Sequence, residues 1–352
     1  DHKGKFLGQG LFNGNSSITV RLFHFLDESE SFENILKSSL KHAIALRKTL
    51  YDAEQTNALR LINGEGDFLP GLICDFYKDQ LVFQFNSLGL YQRKMIITQL
   101  VIEYCREILG INMRTTFDRT PDKIITLEGI QKENDINSSH QPVNRTEIKE
   151  NGFRFYVDLQ EGQKTGFYTD QRNNRRVLAQ LLNGQTGYDL FCYTGGFSVN
   201  LAGNNSLTAV DSSLSAVETA QDNLKANGLT AQVIHDDVFS FLSGITPCDF
   251  INADPPKYIA HEKDRKSGMK KYRQLYETCM NKIKNHGILA ASSCSGLLNS
   301  EDFLTLLGDT ALVAGKMLQL IYRGGAGMDY PASVHCPEGN YLKFFVFRVI
   351  HA

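Results

Sequence analysis

The chain has 352 residues, 22% charged and 42% hydrophobic, with a formal net charge of -2, so it is long enough for two or three domains, ordinary in composition and not globally basic. No run of about 18 apolar residues is present, so no membrane span is expected, no signal peptide is visible, and the abrupt opening Asp1-His2-Lys3-Gly4 fits a fragment. Seven cysteines at irregular spacing with no Cys-x-x-Cys pair argue against a disulfide framework and a zinc site, and fit a reducing cytoplasm.

The first stretch carries Phe6, Gly8, Leu11 and Phe12, then Ile18-Thr19-Val20-Arg21-Leu22, punctuated by Gly10, Asn13, Gly14 and Asn15; the pattern predicts short strands and a tight turn. From Phe32 the apolar residues Ile35, Leu36, Leu40, Ala43 and Leu46 recur three or four apart, which predicts a helix with one buried face. Strands are expected at 59–62, 71–76 and 81–85, with Lys78-Asp79 as a turn. A helix through Ile96, Ile97, Leu100, Val101, Tyr104 and Ile108 should end at Gly110. The polar segment 131–146 lacks periodicity and is the best domain boundary.

After Phe153-Arg154-Phe155-Tyr156-Val157 the pattern alternates strand and helix. Strands are expected at 187–191, 207–210, 232–235, 250–253 and 288–292. One intervening helix is lined by Ala216, Val217, Ala220 and Leu224 and closed by Gly228. Such alternation implies right-handed crossovers and a mostly parallel α/β sheet covered on both faces.

Ligands of such sheets bind beyond the carboxyl ends of the strands. After the first strand, Cys192-Tyr193-Thr194-Gly195-Gly196-Phe197 offers a tight backbone turn before a helix N-terminus; it is not Gly-x-Gly-x-x-Gly, so a dinucleotide cradle is not indicated. Asp211 can accept two ribose hydroxyls or help to cap the next helix. Asp236 and Asp237, followed by Val238 and Phe239, can meet an adenine ring or be solvated loop acids. Asp254-Pro255-Pro256-Lys257-Tyr258 fixes an extended corner. Cys294 stands among Ser292, Ser293, Ser295 and Gly296, unusual company for a core thiol. Together these five turns describe a site for a nucleoside-bearing cofactor, with a carboxylate and a thiol at its reacting end.

The segments 190–197, 236–239, 254–257 and 293–296, with Glu161-Gly162-Gln163-Lys164-Thr165-Gly166-Phe167-Tyr168-Thr169-Asp170-Gln171-Arg172 and Pro337-Glu338-Gly339-Asn340-Tyr341-Leu342-Lys343, resemble the bacterial 23S ribosomal RNA cytosine-C5 methyltransferases that carry an N-terminal PUA domain. The resemblance runs over nearly the whole chain. It implies a Rossmann-like class I methyltransferase domain at 151–352, a central α+β domain at 27–150 holding the motif 63–72, and the tail of a PUA-like β-domain at 1–26. It also implies S-adenosylmethionine as cofactor, held by Gln171, Arg172, Phe191, Tyr193, Thr194, Gly195, Asp211, Asp236, Asp237 and Asp254. The front of the PUA domain is missing, and Cys336 stands where an aromatic residue is expected before Pro337.

The implied chemistry is methylation of cytosine C5 in ribosomal RNA, with Cys294 as nucleophile toward C6 and Asp254 stabilising the adduct near N3. The residue that removes the C5 proton is not identified. RNA contacts are expected from Lys257, Lys266, Lys270, Lys271 and Arg273 in a stretch that also holds Lys263 and Arg265. Arg172, Arg175 and Arg176 form a second basic group, and Tyr258, Phe167 and Tyr168 are candidate stacking faces for a base drawn out of its stack. A cytoplasmic enzyme is expected, with a homodimer left open. Three other readings stand beside it. A uracil-C5 enzyme would use the same thiol, a purine amino-methyltransferase would need none, and a non-catalytic RNA-binding protein would keep only the fold.

Overall fold

A computed structural model of the chain describes residues 3–4, 6–24, 29–50, 52–132 and 145–352. Asp1 and His2, the boundary expected near Leu26 and most of the polar segment 131–146 lie outside the described residues. The chain divides into two compact units. The first holds the described residues up to Gly152 with 157–169 and 328–339, and the second holds 153–156, 170–327 and 340–352.

In the first unit, β1 (Gln9–Phe12) and β2 (Val20–His24) pair antiparallel. The α1 helix (Phe32–Lys48) starts where the Ser31 side chain accepts the Asn34 N–H, and it buries Ile35, Leu36, Leu40, Ala43 and Ile44. Four of these lie on the face its three-four periodicity predicts, but Leu46, expected there too, is exposed and Ile44 is buried instead. Strands β3 (Ala58–Asn63), β4 (Leu72–Tyr77), β5 (Gln80–Phe85) and β6 (Thr115–Asp118) form one sheet in that order, antiparallel except for the parallel β5–β6 pair. The helices α2 (Leu88–Tyr91) and α3 (Lys94–Tyr104) follow β5. A π-helical turn (Cys105–Leu109) then ends at Gly110 with φ 74°, the left-handed cap that glycine permits. After β6 come α4 (Asp122–Glu128), β7 (Thr146–Glu150) and, beyond Gly152, β8 (Phe153–Val157).

Three buried charged groups of this unit, Arg47, Arg60 and Glu128, have charged partners. Arg47 is fully buried and grips both oxygens of Asp67 at 2.5 and 2.8 Å, and Arg60 grips Asp75. Glu128 accepts from Ser16, Asn13 and Arg21. Burial alone would raise its pKa, but these bonds and the Leu88 N–H outweigh burial and hold it below the usual range.

The second unit takes residues 153–156 of β8 and then runs through α5 (Arg172–Leu181), β9 (Thr186–Leu190), α6 (Gly196–Ala202), β10 (Ser206–Asp211), α7 (Leu214–Ala226), β11 (Gln232–His235), α8 (Val238–Gly244) and β12 (Cys248–Ala253). Then come α9 (Arg265–Lys282), β13 (Ile283–Ser293), α10 (Ser300–Val313), β14 (Lys316–Gly324) and β15 (Lys343–His351). The sheet order is β11-β10-β9-β12-β13-β15-β14. The first five strands run parallel, and β15 is antiparallel to both neighbours. One core cluster joins Leu190, Ile251, Ala253, Leu289 and Ala291 of the strands to Tyr272, Tyr276, Phe303 and Leu307 of α9 and α10. From β9 the strand order runs outward in two directions, and beside that reversal the carboxyl ends of a doubly wound sheet form a binding crevice.

Candidate active site

The strand ends are level. Leu190 pairs with Val210 on one side and Ala253 on the other, and Ala253 pairs with Ala291. Register therefore delivers Phe191, Asp211, Asp254 and the turn 292–295 to one edge of the sheet. Asp254 follows Ala253 directly, and Cys294 lies three residues past Ala291 on the neighbouring strand.

The turn after β9 is strained. Phe191 and Tyr193 have φ of 60° and 47°, and Gly195 has φ 80°. Two non-glycine residues in the left-handed region are costly and cluster at functional sites. A Cβ on Gly195 would stand 3.1 Å from that of Ala220, and one on Gly196 would meet the Arg175 side chain at 2.7 Å. Asp211 holds this turn. Its Oδ2 accepts the Tyr193 N–H and its Oδ1 the Ser213 N–H, both at 2.9 Å. The residue that caps α7 is Ser213, so Asp211 braces the cap from outside while its remaining lone pairs can accept ligand hydroxyls.

Asp236 and Asp237 follow β11 and are exposed. Asp237 Oδ1 caps α8 by accepting the Ser240 N–H at 2.9 Å, and Asp236 Oδ1 accepts the Asp237 N–H at 2.7 Å. Asp237 thus has a structural task that sequence reasoning did not give it.

Asp254 is oriented by Gln171, whose Nε2 donates to its Oδ2 at 3.0 Å. The Gln171 amide is itself fixed, because its Oε1 accepts from Asn174 at 2.6 Å and Asn174 also donates to the Gly325 carbonyl.

Two tyrosines of α9 secure the strand ends. The Tyr276 hydroxyl donates to the Ser292 carbonyl at 2.6 Å. The Tyr272 hydroxyl bonds Ser293 and Ser295 at 2.9 Å each, and burial, the leading cause, raises its pKa. The serines on either side of Cys294 are therefore pinned and buried, while Cys294 is half-buried. Ser295 Oγ also accepts the Ile259 N–H from the segment after the two prolines. The helix can approach that segment closely because Gly268 has no Cβ; one would lie 2.7 Å from the Tyr258 carbonyl oxygen. The rival thiol Cys192 is buried, and burial pushes it well above the ordinary thiol value, with Asp189 and Asp211 adding to the shift.

Outside the edge, several expectations change. Arg172 and Arg175 are buried, with Arg175 lying 5.6 Å over the Phe197 ring, so only Arg176 of that group is exposed. Phe167 is buried and belongs to packing. Tyr168 lies under Lys164 at 4.3 Å, and the Tyr258 ring packs 4.9 Å from Tyr272. Lys257, Lys266, Lys270, Lys271 and Arg273 are exposed, and Lys271 sits 5.6 Å over Tyr258. Arg265 is committed to Asp302 and the Leu297 carbonyl. Among the described residues no His, Cys, Asp and Glu cluster could hold a metal.

The family model of the S-adenosylmethionine-dependent methyltransferases matches residues 133–337. The chain belongs to this family. The ribosomal RNA large subunit methyltransferase I of Shigella dysenteriae serotype 1 is 33% identical over 361 residues, covering 99% of this chain and 89% of that protein. A solved Streptococcus mutans structure assigned as a methyltransferase of the same cofactor superposes with TM-score 0.80 at 22% identity, covering 97% of this chain and 88% of that one. Another, described as a methyltransferase complexed with SAH, gives TM-score 0.81 at 22% identity, with 97% and 88% covered. The fold of this methyltransferase is thus the Rossmann-like one, and its cofactor is S-adenosylmethionine.

The edge fits that cofactor. The Phe191–Gly196 turn lies at this edge beside a helix start, and four carboxylates at 211, 236, 237 and 254 suit hydroxyl, amino and cationic groups. Sequence reasoning named those carboxylates. It did not foresee the roles of Tyr272, Tyr276 and Asn174, which act through contacts between distant segments. Lys343 was visible only as part of a motif.

Proposed function

We propose that this methyltransferase methylates carbon 5 of a cytosine in ribosomal RNA of the large subunit, through a bond from Cys294 to C6. The observation that carries the reading is the register of β12 and β13, which sets the Asp254 carboxylate and the Cys294 thiol past the ends of adjacent strands at the cofactor edge. The name of the Shigella relative supports the RNA substrate.

Cytosine C5 is a weak nucleophile. Attack of the Cys294 thiolate on C6 forms an S–C6 bond and moves the C5–C6 π pair toward N3. Asp254, in protonated form at that step, gives its proton to N3 and leaves an enamine with electron density at C5. S-adenosylmethionine supplies the methyl group on a sulfonium that leaves as a neutral thioether. Loss of the C5 proton to a base then returns the pair to C5–C6, expels the Cys294 thiolate and restores the N3 proton to Asp254. Gln171 holds the Asp254 carboxylate through both transfers. Such a base must leave its stack to reach the edge.

On this reading residues 151–352 carry the chemistry, 27–150 form a central domain and 1–26 the tail of a PUA-like domain. The enzyme works in the cytoplasm on RNA held partly by Lys257 and the exposed face of α9. No helix among the described residues is long and apolar enough to cross a membrane.

RNA bearing 5-fluorocytosine at the target tests the reading, because fluorine cannot leave as a proton does. The methylated adduct should stay bonded to Cys294, located by mass spectrometry of the digested complex. A bond on Cys192, or full activity in Cys294→Ala, overturns the assignment. Trapping by 5-fluorouracil RNA alone would make the target a uracil.

A further inference from the structure

Lys343 has no part in the reaction proposed above, yet it stands beside its nucleophile. It opens β15, and its register partner on β13 is Ser293, the residue before Cys294. Its side chain is buried, at 1% exposure. Its Nζ donates to the Ser295 carbonyl at 2.6 Å and to the Tyr341 carbonyl at 2.7 Å. Strand pairing thus holds the residue before Cys294, and the ammonium holds the residue after it.

Burying an ammonium is costly unless it is paired. Two carbonyl dipoles satisfy two of its three N–H donors but carry no net charge. Burial, opposed by the negative charge of Cys294 and helped by Lys257, lowers the Lys343 pKa to about 8. At neutral pH it is still mainly cationic. The coupling is reciprocal: whatever the thiolate does for the ammonium, the ammonium does for the thiolate. The charged and titratable groups facing this turn are Lys343 from β15, Lys257 and Asp254 from the segment after β12, and Tyr272 from α9, whose raised pKa keeps it neutral; of these an ionised Asp254 opposes a thiolate, and the two lysines counter it.

We propose that Lys343 is a positioning residue for Cys294: its ammonium holds the turn that presents the thiol and supplies the positive charge that keeps the sulfur anionic for attack. The inference rests on reading Cys294 as the nucleophile. A thiol of ordinary pKa, about 8.5, is only a few per cent ionised near neutrality, and a neighbouring cation is an established way to raise that fraction.

Two substitutions separate the clamp from the charge. Lys343→Gln keeps an N–H donor and removes the charge, and Lys343→Arg keeps both. The readout is the rate of Cys294 alkylation by iodoacetamide against pH, followed by mass spectrometry of its peptide, with calorimetry of S-adenosylmethionine binding to certify the fold. Wild-type Cys294 should titrate below about 8.5. Lys343→Gln should move the midpoint up by about 1–2 pH units, and Lys343→Arg should restore most of the wild-type behaviour. Superimposed wild-type and Lys343→Gln profiles would reduce Lys343 to a structural clamp and overturn the proposal. So would Lys343→Arg behaving like Lys343→Gln. A wild-type midpoint at or above that of a free thiol overturns it with no variant needed. Alkylation reads the thiol whether or not it attacks RNA. Methyl transfer persisting in Cys294→Ala would instead count against the nucleophile itself.

Discussion

Gln171 donates to Asp254 across 3.0 Å while Asn174 fixes the other end of the same amide. The carboxylate is thus aimed by a chain of two side chains, Asn174 in the first turn of α5 and Gln171 just before it, and neither needs to touch the pyrimidine. Gln171→Leu should lower single-turnover methyl transfer by up to about 100-fold, the scale of a misplaced reacting group. Cofactor affinity, measured by calorimetry, should change much less. An equal loss in affinity would show that Gln171 serves the cofactor directly.

Asp211 joins the Tyr193 and Ser213 N–H groups at 2.9 Å each, and we propose that it also accepts the ribose hydroxyls of the cofactor. Asp211→Ala should weaken S-adenosylmethionine binding by about 1–3 kcal/mol, the cost of hydroxyls left unpaired. The same calorimetry with NAD should give no response, since the Thr194-Gly195-Gly196 turn is not a pyrophosphate cradle. Undiminished affinity in a folded Asp211→Ala protein would remove this residue from the site.

The parallel sheet was legible because its signals are local. Strands 207–210 and 288–292 show as mostly apolar runs, and the turns after the sheet strands show Asp211, Asp254, Pro255 and Gly296. The edge carboxylates and Cys294 follow from the rule that ligands sit beyond the strand ends. What hides from a linear reading is partnership between distant segments. Nothing near Tyr272 announces that its hydroxyl will meet Ser293 and Ser295. Nothing near Arg175 announces burial against Phe197; as part of a basic run it reads as surface. The placement of 157–169 and 328–339 in the first unit likewise depends on long-range packing that no periodicity encodes.

The exposed face of α9 carries Lys266, Lys270 and Arg273 at helical spacing, opposite buried Gly268, Tyr272, Leu275 and Tyr276. Neutralising these three should weaken RNA binding and flatten its salt dependence. Each phosphate of a single strand that is deprived of its cation should take about 0.7 log units off the slope. Arg265 should contribute little, because Asp302 already holds it at 2.8 Å. A titration of affinity against salt decides it, and an unchanged slope would make this face an ordinary solvated surface.

Asp189 lies inside the sheet on β9, paired in register with Asn252 two residues before Asp254. Ser198 donates to one of its oxygens at 2.5 Å and Asn252 to the other at 2.8 Å. Burial nevertheless dominates and raises its pKa from 3.8 to about 6, with the nearby Asp254 adding to the rise. The folded state therefore binds a proton that the unfolded chain releases at lower pH. The stabilisation from this group is fully present below 3.8 and is lost as pH rises through about 6. A rise of that size corresponds to roughly 3 kcal/mol. Asp189→Asn cannot ionise, so it should lack this component while keeping one acceptor and the shape of the side chain. Urea unfolding of both proteins across this range should show their stability difference moving in favour of the variant as pH rises. A difference that stays flat would mean that Asp189 keeps its charge in the folded sheet, with its two donors outweighing burial.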